Sequence, residues 1–295
     1  MPCPLPPANS IGTAVKQATV RLTDLSPSPR LDAELLLAHC LRCDRSHLRA
    51  WPERLISAEH ATRFWQLISQ RAEGIPLAYL TGEKEFWSRT FQVTPGILIP
   101  RPDTETLIEA ALAIIPPEAP WHILDMGSGS GIIAITLAME RPNTRVLAID
   151  CSPEALAITR GNADRYQLHN LEIRQSHWFS AIARQHRFDL IASNPPYLAA
   201  GDPHLSQDGI RHEPLTALVS GPEGLDDLTL ISREAPYYLR PGGVLLLEHG
   251  YDQAQALRQI LTTRGYHGIQ HHADLQGHPR ITRAYWHEAS ANPLP

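Results

Sequence analysis

The chain has 295 residues, 43% hydrophobic and 19% charged. That is the balance of a folded globular protein, and the length predicts one large domain plus a smaller one. A net charge of −5 argues against a protein held on nucleic acid mainly by phosphate contacts, which is usually basic. Four cysteines, Cys3, Cys40, Cys43 and Cys151, are too few and too scattered for a disulfide scaffold. The opening MPCPLPPANS is proline-rich and uncharged, unlike a secretory leader. No apolar run reaches the ~18–20 residues that span a bilayer. The expectation is a cytoplasmic protein without membrane contact.

Residues 11–74 read as helices. IGTAVKQATVRLTDL follows Ser10, a plausible N-cap. SAEHATRFWQLISQRAEG starts at Ser57 and stops at Gly74. Residues 1–75 are therefore expected to form a small helical domain. Residues 76–100, PLAYLTGEKEFWSRTFQVTPGILIP, carry aromatic and β-branched residues around a Thr81-Gly82 turn signal, and read as a β-hairpin linker. Pro102 and Asp103 suit the start of a helix running towards Pro116. From Trp121 strand and helix alternate: WHILDM, GIIAITLAMER, TRVLAID, SPEALAITRGNADRYQL, LEIRQS, FDLIASN, LDDLTLISREAPYYL, GVLLLEHG, YDQAQALRQILTTRG. That alternation predicts a doubly wound, mostly parallel α/β sheet over residues 101–295. IQHHADLQGHPRITRAYWHE reads as two closing strands joined by Leu275–Pro279, a loop too short for anything but an antiparallel pair.

Two motifs fall at strand ends, where open α/β sheets bind ligands. The first strand runs into Asp125, Gly127, Ser128, Gly129, Ser130 and Gly131. This GxGxG loop opens a helix, and its glycines let backbone approach a ligand closely. The spacing is not the GxGxxG of dinucleotide folds. Asp150 ends the second strand, where a carboxylate can accept both hydroxyls of a ribose. Asp125 has two readings: it receives a cationic ligand amine, or it orders the loop. The ligand that joins ribose, amine and such a loop is S-adenosyl-L-methionine.

The second motif is Asn194, Pro195, Pro196 and Tyr197, at the end of the fourth strand. A planar NH₂ group, in a carboxamide or the exocyclic amine of a base, is a poor nucleophile because its lone pair is delocalised. Acceptors that hold its N–H bonds aim the nitrogen. Asn194 offers a side-chain carbonyl and Pro195 a backbone carbonyl. Neither proline has an N–H to compete, and both have a fixed φ. The Tyr197 ring can pack on a flat acceptor group.

These motifs resemble those of the HemK/PrmC family, glutamine methyltransferases of peptide chain release factors. The resemblance rests on ILIPRPDTETL, ILDMGSGSGIIAI, VLAID, SNPPY, HEPLTAL, PGGVLLLEHG and DLQGHPRIT in order over positions 97–282, with a similar helical N-terminus and PLAYLTGEKEFW. It implies a seven-stranded class I methyltransferase fold. It implies methyl transfer from S-adenosyl-L-methionine to the amide nitrogen of the glutamine in a release factor's Gly-Gly-Gln loop. By position, Gly127 to Gly131 and Asp150 would bind the cofactor and Trp178 would pack on its adenine. Asn194 to Tyr197 would hold the glutamine, with Asn194 beside the cofactor, and residues 1–75 would help grip the release factor. Two positions depart from the family pattern. His177 stands in QSHWFS where an aspartate is expected, which puts an acidic adenine contact in doubt. Asp103 stands in RPDTE where RPETE is expected.

The rival function is a nucleic-acid exocyclic-amine methyltransferase, which shares the Asn-Pro-Pro-Tyr trap but calls for a basic groove. The expected partner is thus a release factor and not nucleic acid, and the expected form is a monomer. A module without chemistry would show damage in the glycine loop, Asp150 or Asn194, and none is damaged. No metal is expected: Cys40 and Cys43 lack a second ligand pair, and His271 and His272 alternate across a strand, leaving His278 without company. Three features have two readings each. Glu213 and the loop Gly221-Pro222-Glu223-Gly224 border the substrate entrance or are simply solvated. Glu248 orients the site or is a satisfied strand-end acid.

Overall fold

The computed structural model describes residues 10–207 and 209–287. Cys3 and the proline-rich ends lie outside them. Contacts divide the chain into two units: residues up to Glu83 with Ser206–His212, and Lys84–Leu205 with Glu213 onward.

The first unit is helical: α1 (Ile11–Leu22), α2 (Pro29–Leu41), α3 (Arg45–Ala50), α4 (Ala58–Ala72) and the single turn α5 (Leu77–Thr81). The side chains of Ser10 and Ser57 cap α1 and α4 by accepting from Thr13 N and His60 N. Leu22, Leu36, Leu37, Phe64 and Ile68 form its core with Cys40, whose thiol burial pushes up to about 11. Asp32 is buried, and accepts from Ser26, Ser28 and Arg71. Glu34, also buried, collects Arg30, Arg45 and Arg49.

A hairpin follows, β1 (Glu83–Phe86) and β2 (Arg89–Gln92). Its turn is not at Thr81-Gly82. Gly82 instead caps α5, at φ +76 with its N–H on Ala78 O. The chain reverses at Trp87 and Ser88, both left-handed at φ +52 and +56, as a two-residue hairpin turn requires. Neither residue favours that conformation, so tertiary bonds hold it. Trp87 N donates to Glu105, and its indole and Arg89 both donate to Glu140.

The second unit continues with α6 (Asp103–Leu112), β3 (His122–Met126), α7 (Ile132–Glu140), β4 (Arg145–Asp150), α8 (Pro153–Arg165), β5 (Leu171–Gln175), β6 (Phe188–Ser193), α9 (Asp226–Glu234), β7 (Leu239–Glu248), α10 (Ala254–Thr263), β8 (His267–Ala273) and β9 (Pro279–Tyr285). The expected single helix over 225–239 stops at Glu234, because Pro236 cannot continue the ladder. The seven strands lie in the order β5-β4-β3-β6-β7-β9-β8, with β9 antiparallel to both neighbours. Two apolar layers cover the sheet, one including Leu107, Ile133, Leu137 and Leu246, the other Leu124, Ile149, Ile231 and Leu257. The connections leave β3 in opposite directions, towards β4 and towards β6. The crevice of such a sheet opens at the C-terminal ends of those strands. No helix among the described residues is long and apolar enough to cross a membrane.

Candidate active site

Four strand ends meet at one cavity of about 450 Å³. Its lining includes Gly127, Ser128, Gly129 and Ser130 after β3, Asp150 at the end of β4, His177 and Trp178 after β5, and Asn194 and Pro196 after β6. Asp125, Gly131, Pro195 and Tyr197 are not in the lining.

Asp125 is fully buried, and its Oδ2 accepts from Ala134 N at 3.0 Å in the first turn of α7. The structure thus favours the loop-ordering role. Burial raises its carboxyl to about 7, against the Ala134 bond and with help from the Asp150 charge. Gly131 is the N-cap of α7 at φ +86, and a Cβ there would fall 2.8 Å from Ile135 Cδ1 and 2.9 Å from Thr159 Cγ2. Only glycine lets the loop pack this tightly on α8.

Asp150 holds the loop from the other side. Its oxygens accept from Gly129 N and Ser152 N, each at 2.9 Å. A carboxylate oxygen has a second lone pair, so both can still take ligand hydroxyls. Trp178, at φ +47, anchors its indole N–H on Asp227 Oδ1 at 3.0 Å and turns its ring towards Gly127. It supplies a flat apolar wall, and His177 stands exposed beside it at the rim. The Asp150 carboxylate, the aromatic wall and the glycine-rich loop therefore fit an adenosyl ligand.

The Asn194–Tyr197 turn is held by Glu248, one of the residues with two readings, and by Thr104 and Gln253, which sequence reading missed. Asn194 Nδ2 donates to Thr104 Oγ1 at 3.2 Å, and Thr104 donates to Glu248 Oε2 at 2.7 Å. Among the described residues no donor reaches Asn194 Oδ1 or the Pro195 carbonyl. Tyr197 Oη lies 3.4 Å from Glu248 Oε1. Burial pushes the phenol well above its usual range, with Glu248 adding to it, so the hydroxyl remains a donor. Gln253 Nε2 donates to the carbonyls of Tyr197 and Gly224, and Gln253 Oε1 accepts from Gly250 N.

Two more residues were missed. Thr159 donates to Gly129 O, and Asn162 Nδ2 donates to Ser130 O and Gln92 O. These α8 side chains tie the glycine loop to the hairpin. A threonine and an asparagine three apart inside a helix carry no sequence signal of that role. Of the features with two readings, Glu213 is buried and binds Ile99 N and Arg101, so it holds a cavity wall. Gly224 is buried against Tyr197 O, whereas Pro222 and Glu223 are exposed. His271 bonds to Arg258 and Thr282.

Two family models match: PrmC N-terminal domain over residues 13–82 and Methyltransferase small domain over residues 104–212. Curated relatives called release factor glutamine methyltransferase align along most of the chain. That of Pseudomonas aeruginosa is 49% identical over 261 residues, 88% of this chain and 94% of the relative. Those of Vibrio cholerae and Escherichia coli K12 are 46% and 44% identical, over 92% and 89% of this chain and 96% and 94% of the relatives. A methyltransferase from Pyrococcus furiosus superposes at TM-score 0.51 and 16% identity, over 79% of this chain and 100% of that one. A 16S rRNA N2 methyltransferase from T. thermophilus, solved with AdoMet and guanosine, does so at 0.50 and 19%, over 69% and 49%. The two superpositions establish the class I methyltransferase fold.

Proposed function

The chain belongs to the release factor glutamine methyltransferase family, and on that footing we propose that it moves a methyl group from S-adenosyl-L-methionine to the side-chain amide nitrogen of the glutamine in a release factor's Gly-Gly-Gln loop. The observation that carries the reading is the Asn194–Pro195 pair. Asn194 Oδ1 and the Pro195 carbonyl accept from no donor among the described residues, and Asn194, with Pro195 next to it in the chain, lines a cavity that also holds the glycine loop and Asp150.

When bound, S-adenosyl-L-methionine supplies a methyl group already activated by its sulfonium charge. The Gly127–Ser130 backbone would hold it, with Asp150 accepting ribose hydroxyls and Trp178 facing the adenine. Asn194 Oδ1 and Pro195 O would accept the two N–H groups of the glutamine amide. That fixes the plane of the amide and points the nitrogen into the cavity. Orientation of this kind can supply on the order of 7–11 kcal/mol of a barrier. Glu248 is no general base here, since both its oxygens face protein hydroxyls.

The finer assignments follow from the same reading. Residues 1–75 grip the release factor, residues 76–100 are the linker and residues 101–295 carry the chemistry. The enzyme acts in the cytoplasm as a monomer, without direct nucleic-acid contact, a choice supported by the net charge of −5.

The test is methyl transfer from labelled S-adenosyl-L-methionine to intact release factor, to its Gly-Gly-Ala variant, to DNA and to ribosomal RNA. Label on the intact factor alone is expected. Label on nucleic acid alone would move the function to base amines and leave the cofactor site standing.

A further inference from the structure

We infer that Thr104 and Glu248 form a hydrogen-bond relay that decides which end of the Asn194 carboxamide faces the cavity, making both of them positioning residues for the methyl-accepting group.

The two ends of a carboxamide have nearly the same size, so packing alone does not choose between them. Hydrogen-bond direction does. Glu248 ends β7 fully buried, and an ionised carboxylate only accepts. Thr104, fully buried in the first turn of α6, has a single hydroxyl proton, and at 2.7 Å it goes to Glu248 Oε2. Thr104 Oγ1 is then left as an acceptor towards Asn194, which must present Nδ2 at 3.2 Å. Oδ1 is turned the other way, as the acceptor a substrate N–H requires. The same carboxylate reaches Tyr197 Oη through Oε1 at 3.4 Å, so it restrains both ends of the Asn194–Tyr197 turn. Thr104 is 90 residues from Asn194 and 144 from Glu248 along the chain. The threonine of RPDTE thereby acquires a role beyond starting a helix.

The relay runs one way only while Glu248 is ionised. Facing it are Asp103 of α6, which disfavours ionisation, Arg280 of β9, which favours it, and the hydroxyls of Thr104 and Tyr197. Burial dominates and pushes the carboxyl up to about 7. A protonated Oε2 would donate to Thr104, whose own proton would then point at Asn194 and demand Oδ1. The wrong end, NH₂, would face the substrate.

The inference depends on the proposed function only for the identity of the methylated amide. Its first test therefore needs no substrate. In the full chain without release factor, the Asn194 side-chain amide protons, assigned by their loss in Asn194→Ala, should show a nuclear Overhauser contact to the Thr104 methyl group. Absence of that contact overturns the relay. Kinetics form the second test. Thr104→Val, nearly isosteric, is expected to lower kcat about tenfold, the scale of one net hydrogen bond, with S-adenosyl-L-methionine affinity unchanged. Thr104→Ser is expected to recover most of that loss. Equal losses in both variants, or a parallel loss of cofactor affinity, would make Thr104 a packing residue. Should Thr104→Val fail to fold, Glu248→Gln serves: the wild type is expected to lose kcat as pH falls below about 7, and the variant should lack that fall. An unaltered pH profile refutes the relay. A contact present in a protein that labels no release factor would sink the substrate reading alone.

Discussion

Replacing Gly224 by alanine asks whether the Asn194–Tyr197 turn has to be held from behind. Gly224 sits at φ +73, and a Cβ there would lie 2.3 Å from the Tyr197 carbonyl oxygen and 2.9 Å from Gln253 Nε2. Ordinary contact begins near 3.4 Å, so the two backbone segments must part by about 1 Å. The left-handed conformation alone costs a side chain about 1–2 kcal/mol, and overpacking adds about 1–3 kcal/mol. Movement also strains the Gln253 clamp, whose amide bonds to Tyr197 O at 2.9 Å and Gly224 O at 3.1 Å. A misplacement of about 1 Å can cost ~10²-fold in rate. The expected result for Gly224→Ala is a kcat lower by roughly 10–10²-fold, a lower melting temperature, and an S-adenosyl-L-methionine Kd within about threefold of wild type. Single-turnover methyl transfer, scanning calorimetry and titration calorimetry read the three quantities. Wild-type kcat in a folded variant would show that the turn does not depend on this contact, and the reasoning would fail.

Asn194→Ala removes the proposed substrate acceptor. It should lower kcat by about 10²-fold or more while leaving cofactor affinity nearly unchanged; an equal fall in affinity, read by calorimetry, would refute the role. Asp150→Ala removes the proposed ribose acceptor along with the bonds to Gly129 and Ser152. Cofactor affinity should fall about 10²-fold with a smaller change in kcat at saturation, measured by initial rates over a range of S-adenosyl-L-methionine. In the helical unit, burial would raise the Glu34 carboxyl, but Arg45, Arg49 and Arg30 outweigh it and hold the pKa at about 2, below the ordinary 4.5. A depressed carboxylate stabilises the fold above its unfolded pKa, and the contribution is lost as pH falls through the folded one. Urea unfolding of wild type and Glu34→Gln should therefore differ at pH 7 and converge between pH about 4.5 and 2. A gap that persists at pH 2 would contradict the ion-pair reading.

The strand–helix alternation from Trp121 onward was legible because buried parallel strands and amphipathic helices differ in run length and period. The order of the strands was not, since nothing local records that β6 returns to the far side of β3. The hairpin shows the limit within one short segment. Thr81-Gly82 has the composition of a turn, but Gly82 ends a helix, and the chain reverses at Trp87-Ser88 because Glu105 and Glu140 wait there to hold it.

The residues that the sequence by itself picked out are those whose backbone chemistry is peculiar to their type: glycines that alone tolerate left-handed turns, prolines that lack an N–H, and acids and amides at strand ends. Their spacing was enough to place the glycine loop, Asp150 and Asn194 on one edge of a sheet. Only the tertiary structure separated the roles of the polar residues. Asp125 lies under its loop, where burial leaves it to order backbone. Thr104, Asn162 and the neighbouring pair Glu248 and Gln253, from three distant stretches of chain, hold the turn and the loop. A hydroxyl, an amide or a carboxylate reads the same in sequence whether it faces water or a partner. Its role is set by which donor or acceptor the fold brings within about 3 Å, and that is a property of the folded chain alone.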